Sequence, residues 1–401
     1  MKRPVISVKS PEAVVTLMVP DSVLLIADIH DDVSIKSIRV VLVNSDRISV
    51  GNPTMYFPDA SAFTIEQYVH VSDKFLSSGD YSILIYVSDG KNSISSYVPL
   101  IINEMPKEVS GYLITEKLGT YQTRLNFWSS NLVPDTSVLL QLDYSSSGIN
   151  HPYEQLYVVT TEPSQILALS LKRKEMNWTL QAALPYPRFT VPYVDDDLVI
   201  GTGNGDVFVY DQEGNVKVKT LPKEDFKVEQ VAANEDFIIC EMVSFNGNDH
   251  FLYTFYRKTG GLNRNRKLDG DITTLVPMEN KCIVVLFTGQ HSKIYSLEPV
   301  EGILTFENEC QGKFILGSAK IDSDRMLFYT EDVIYLYDYQ YNNLIPYLDI
   351  KVRGVQYDPV RSSILYFDDE GIGIIEYPGG ELLGNGTFDG QVLNFQVIYN
   401  K

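Results

Sequence analysis

Cysteine occurs only three times, at Cys240, Cys282 and Cys310, with separations of 42 and 28 residues and no CxxC or Cys/His spacing. That pattern excludes a zinc site built on a linear motif, and the odd count argues against a disulfide framework, so buried free thiols are expected. Basic residues are outnumbered 33 to 52 by acidic ones, giving a formal charge of -19. A surface of that sign repels polyphosphate, which excludes nucleic acid as a partner; the charge is read as serving solubility. No run of 18 apolar residues is present, so no helix long enough to cross a membrane is expected. The opening MKRPVISVKSPE has the basic residues of a signal peptide but not the apolar segment that follows them in one. The expectation is a soluble mature chain from which a leader has been removed, with a cytoplasmic chain as the alternative. No nucleophile elbow, P-loop, dinucleotide fingerprint or HExxH occurs, and no cofactor or metal is expected.

An apolar pattern of period 3.6 is nowhere sustained, whereas 26 Tyr, 18 Phe and many Val, Ile and Thr favour strands. The fold class is therefore all-β. From Gly111 onward one pattern recurs: an apolar strand, a polar turn and a second apolar strand. It is seen as GYLITEKLGTYQTRLNFW, LYVVTTEPSQILALSLK, LVIGTGNGDVFVYDQEG, FIICEMVSFNGNDHFLYTFYRKTG, CIVVLFTGQHSKIYSLEPVEG, MLFYTEDVIYLYDYQYN and ILYFDDEGIGIIEYPGG. The first strands start at 112, 156, 198, 237, 282, 326 and 364, a mean interval of 42 residues. Short strands repeating at that length are the mark of a β-propeller, and seven units predict seven blades over residues 111–401. The terminal QVLNFQVIYNK cannot make a blade alone. It aligns with the strand preceding each repeated pair and is expected to join the blade begun at Tyr112, closing the ring and removing its edges.

Residues 1–103 hold about seven strand-like runs, PVISVK, AVVTLMVP, SVLLIADIH, SIKSIRVVLV, AFTIEQYVHV, YSILIYVSD and SISSYVPLIIN. Their number and spacing predict an immunoglobulin-like β-sandwich, with residues 46–62 as a long crossing loop. Asp28, Asp31, Asp32 and Asp89 invite a calcium reading, but the regular ligand spacing is missing, so they are read as turn initiators. NEMPKEVS supplies an interdomain linker at residues 104–110, and DYSSSGINHPYEQ (residues 143–155) reads as a polar loop. Trp128 and Trp178 follow the repeated strands and are expected to pack blade against blade.

Candidate binding residues lie in the turns between the two repeated strands: Asn204, Asp206, His250, His291, Asp332 and Asp369. Carboxylates and amides there, beside Tyr329 and Tyr366, can pair with sugar hydroxyls. The GTGNGD run joins two strands and opens no helix, so it is a turn and not a phosphate cradle. His250 and His291 occupy comparable turns of adjacent repeats; without a third ligand they are read as solvated loop histidines. Substitutions at these turns are expected to cost little stability.

The stretch GDYSILIYVSDGKNSISSYVPLIIN followed by GYLITEKLGTYQTRLNFWSS resembles the PKD-like family of lipoproteins in glycan-foraging Gram-negative bacteria, whose second domain opens on a glycine-aromatic strand matched by Gly111, Tyr112, Gly119 and Leu125. The later repeats are similar to pyrroloquinoline-quinone-type and WD-type propellers without their Trp-Asp or cofactor-binding residues. The family resemblance implies an outer-membrane or periplasmic lipoprotein that accompanies nutrient uptake, reaching the membrane only through a lipid anchor. The resulting expectation is a monomeric, non-catalytic binding protein for a glycan or protein partner. The alternatives are a polysaccharide lyase or hydrolase with its site in the propeller channel, and a pure protein-interaction scaffold.

Overall fold

The computed structural model describes residues 2–182, 188–221, 224–369 and 371–401, which contain strands and no helix. The chain divides into two units, Met1–Lys107 and Glu108–Lys401.

The first unit has a three-stranded sheet (Val5–Ser10, Asp21–Ile35, Ala60–Val71) and a five-stranded sheet (Val15–Met18, Ser93–Asn103, Gly79–Ser88, Ser37–Asn44, Thr54–Tyr56), each in spatial order. Period-2 burial along Gly79–Ser88 turns Ile83, Ile85 and Val87 inward, where they meet Leu25, Ala27 and Ile29 of the other sheet in one apolar core. Eight strands replace the seven expected. The addition, Thr54–Tyr56, lies within the predicted crossing loop between Pro53 and Pro58 and is held at the sheet edge by pairing with Ile38–Val40. The four candidate calcium carboxylates are engaged locally. Asp28 pairs with Lys9 and accepts from Thr64, Asp31 accepts the amides of Val33 and Ser34, Asp32 accepts from Lys2, and Asp89 accepts the amides of Lys91 and Asn92.

The described residues of the second unit form seven four-stranded antiparallel sheets, here I to VII. Six are formed by consecutive strands. Sheet I is instead assembled from both ends of the unit, with Gln391–Tyr399 leading and pairing antiparallel with Val109–Gly119. The other leading strands are Tyr144–Asn150, Tyr193–Val194, Phe226–Ala233, Asp271–Pro277, Gly317–Lys320 and Gly354–Asp358. Leading strands, or in sheet III the adjoining Leu198–Gly201, contact those of the next sheet around a cycle that returns to Gln391–Tyr399. This is a β-propeller fold. Sheet I starts at Val109, inside the predicted linker, because Tyr399 extends the pairing to that residue.

Each neighbouring pair of sheets owns one apolar cluster: I–II, II–III, III–IV, IV–V, V–VI, VI–VII and VII–I. This explains why second strands such as Phe237–Ser244 are buried at every residue. Ile238, Cys240 and Met242 face sheet III while Phe237 and Ile239 face sheet V, so both faces are covered and polar alternation disappears. The three cysteines are free, buried thiols; Cys240, Cys282 and Cys310 each sit in one of these clusters. Trp178 donates its indole N–H to the Gln212 carbonyl of sheet III at 2.8 Å, and Trp128 meets Phe388 at 5.4 Å between ring centroids. Residues 143–155, read from sequence as a loop, contain the leading strand Tyr144–Asn150. Its serines conceal it because a leading strand borders the ring axis and needs no continuous apolar run.

Candidate functional site

Antiparallel order places the turns between second and third strands at one end of the ring. All six candidate residues are there, and the side chains of five are engaged. The Asn204–Gly205 apex is a tight turn in which Gly205 adopts φ +81°, the left-handed region that glycine enters without strain. Asp206 is only 6% exposed and lies 3.3 Å from Lys219 Nζ. His250 bridges two carboxylates, with Nδ1 2.9 Å from Glu241 Oε1 and Nε2 3.1 Å from Asp271 Oδ1. Glu241 is buried and also accepts the Ile272 amide at 3.1 Å; burial pushes its carboxyl above the usual range, against the opposing pull of His250. His291 Nδ1 accepts the Gly312 amide at 2.8 Å. Asp332 pairs with Lys313 at 2.9 Å, and that bond holds its carboxyl below the usual range. Asp369 accepts from Gln391 at 3.0 Å and pairs with Arg353 at 2.7 Å; the Gln391 bond leads in lowering its pKa. Asp206 and His250 are thus parts of the scaffold, not free loop groups. Among the described residues no hydrogen bond or ion pair joins one of the six to another, and no three His, Cys, Asp or Glu side chains cluster as metal ligands.

A cavity of about 990 Å³ opens at the opposite end, where first and second strands turn. Its wall includes His151, residues 195–197, Asn234, Glu235, Arg257 and Glu279. Arg257 grips Asp195 with both terminal nitrogens, at 2.6 and 2.7 Å, and donates to the Asn234 carbonyl at 2.9 Å. Asp197, 9% exposed, is held by Lys217 at 2.7 Å, with Arg257 a further 3.5 Å away. The bidentate fork on Asp195 and the Lys217 pair on Asp197 fix these side chains in place, so this cluster orders the mouth of the ring.

Between leading strands lies a second cavity of about 740 Å³. Ser147, Asn394, Gln396, Gln356 and Tyr144 present hydroxyls and amides to it, and Tyr329, Tyr357 and Phe367 present rings. The polar groups interlock. Ser147 Oγ donates to Gln396 Oε1 at 2.9 Å, Asn394 Nδ2 donates to Tyr144 Oη at 3.1 Å, and Gln356 Oε1 accepts the Val397 amide at 2.9 Å. Gly354 is required here, since a Cβ would stand 2.1 Å from the Phe367 ring. The lining includes Lys320 and Arg353 but no carboxylate. Neutral donors and acceptors beside aromatic faces can hold a polyhydroxylated molecule, whereas hydrolysis of a glycosidic bond by the usual route needs two carboxyl groups flanking it.

Sequence reasoning passed over these lumen residues. Their signal is a polar residue inside the strand preceding a repeated pair: Ser147 in YSSSGIN, Ser318 and Lys320 in GSAK, Gln356 in GVQYD, and Asn394 and Gln396 in QVLNFQVIY.

No family model and no curated protein matches the chain. Similar solved structures include the computationally designed Ika8 protein, at 10% identity and TM-score 0.50, covering 70% of this chain and 89% of that one. Another is BamB from Moraxella catarrhalis, at 12% identity and TM-score 0.46, covering 72% of this chain and 91% of that one. At such identities the likeness to the designed protein concerns the fold alone.

Proposed function

We propose that this protein is a non-catalytic glycan-binding protein of the cell envelope, an immunoglobulin-like sandwich followed by a seven-bladed propeller whose axis receives the ligand. The observation that carries this reading is the wall of the 740 Å³ lumen, where amides, hydroxyls and rings converge without a lining carboxylate. Sugars present hydroxyls to such amides and C–H faces to such rings. The seven inter-sheet clusters support counting each sheet as a blade, and the resemblance to PKD-like lipoproteins supports an exported protein at the outer membrane serving nutrient uptake. The turns that carry Asn204, His291, Asp332 and Asp369 remain a second candidate surface at one end of the same axis.

The test is a screen of the full chain against polysaccharides, reading both retention and release of reducing ends. Retention without product is expected. Ser318→Trp fills the lumen from the leading strand of sheet VI and should abolish retention while the folded far-UV spectrum persists. Retention undiminished in that variant would move the site away from the lumen, product release would establish an enzyme, and neither signal would leave a protein-interaction scaffold.

A further inference from the structure

Lys320 occupies an unusual place for a lysine in a chain of charge -19. It ends the leading strand of sheet VI and lines both the 740 Å³ lumen and the 990 Å³ mouth, standing where the two meet. Its ammonium donates to the Pro277 carbonyl at 3.3 Å. Among the described residues no carboxylate lies within ion-pair distance of it, although Lys217, Lys219, Lys267 and Lys313 each have one. The other lumen cation, Arg353, is already matched by Asp369 at 2.7 Å.

An ammonium carries three donors in a rotatable fan, and one neutral carbonyl leaves two unused. Apart from Arg353, which Asp369 already matches, the lumen lining around it is neutral, so Lys320 carries the uncompensated charge of that wall. A negatively charged ligand group gains there what a neutral one does not, and the walls of the ring reduce the water that would screen it.

We infer that the lumen selects acidic saccharides, with Lys320 binding a ligand carboxylate while Ser147, Asn394, Gln356 and the lumen tyrosines contact hydroxyls and ring faces. This rests on the lumen reading given above and adds the charge class of the ligand. Both bonds are non-covalent and no group is transferred.

The experiment is calorimetric titration of the full chain with galacturonan oligosaccharides in two forms, the free acid and the fully methyl-esterified ester, which share shape and differ in charge. The wild-type chain should bind the acid at least tenfold more tightly than the ester, and the gap should narrow as salt is raised. Lys320→Met should abolish the gap by bringing acid binding down to the level of the ester, and Lys320→Arg should retain it; thermal melts check that both variants fold. Equal affinity for the two forms, or a gap that survives in Lys320→Met, overturns the charge selection and leaves the neutral lumen reading standing. Binding of inorganic sulfate as tight as that of the acid oligomer overturns it as well, since the saccharide would then contribute nothing. If neither oligomer binds and the polysaccharide screen also shows no retention, the lumen reading fails and this inference fails with it.

Discussion

Tyr399 donates its hydroxyl to Oδ1 of Asp358 at 3.0 Å, joining the leading strand of sheet I to the end of the leading strand of sheet VII. Asp358 is fully buried, its Oδ2 has no hydrogen-bond partner, and Oδ1 otherwise receives the Val360 amide. Burial pushes the Tyr399 phenol far above its usual range, with Asp358 adding to that shift, so the phenol stays a donor at any ordinary pH. Tyr399→Phe should destabilise the propeller by about 1.5–3 kcal/mol, the range for a hydrogen bond to a charged group. Urea unfolding with an unchanged midpoint would show that the bond contributes nothing.

Removing residues 391–401 strips the leading strand from sheet I and with it Val392, Phe395, Val397 and Tyr399 from the VII–I cluster. Val109–Gly119 would then become an open edge. The expected result is an aggregating protein without a cooperative melt, read by size-exclusion chromatography and calorimetry. A monodisperse truncated protein melting at the parent temperature would contradict ring closure.

Arg257→Met leaves Asp195 without its fork and Asp197 with Lys217 alone. Losing one partner of a fully buried pair costs about 3–5 kcal/mol, and partial exposure of this cluster brings the expected loss to about 2 kcal/mol. Adding Asp195→Asn should recover part of it, because the uncompensated charge is then gone. Denaturant midpoints of the single and double variants measure this directly.

Glu241 sets a pH dependence of definite sign. Its folded-state pKa is raised above the ordinary glutamate value by burial, so the folded state binds this proton more tightly than the unfolded chain. The associated stability is fully present below about pH 4.5 and is lost as pH rises through the folded pKa. Glu241→Gln is neutral throughout and can still accept the Ile272 amide. Urea titrations from pH 4 to 7 should show the variant gaining on the wild type with rising pH. The opposite trend would mean that His250 holds Glu241 as a paired anion more strongly than burial opposes it.

The repeat was legible because second and third strands are covered on both faces and so read as apolar runs; the second strands begin within three residues of each position inferred from sequence. Closure by Gln391–Tyr399 was legible for the same reason, through Val392, Phe395 and Val397. Leading strands were harder to see. Tyr144–Asn150 is rich in serine and Gly317–Lys320 has four residues, so neither resembles a strand until the ring supplies its neighbours. Candidate turn residues were placed at the right local positions, but their partners lie elsewhere in the chain. Asp271 is 21 positions beyond His250, and Gly312 is 21 beyond His291. A turn that reads as free and polar can therefore be fully engaged.

The pairing of Val109–Gly119 with Gln391–Tyr399 also imposes an order in time. A ribosome delivers the start of sheet I long before its leading strand. During synthesis of sheets II to VII, Val109–Gly119 must wait with one side unpaired and the sheet VII face of its cluster uncovered. Completion depends on the emergence of Tyr399, so a chain stalled before that residue would expose the same strand edge as the truncated protein and be a natural target for chaperones.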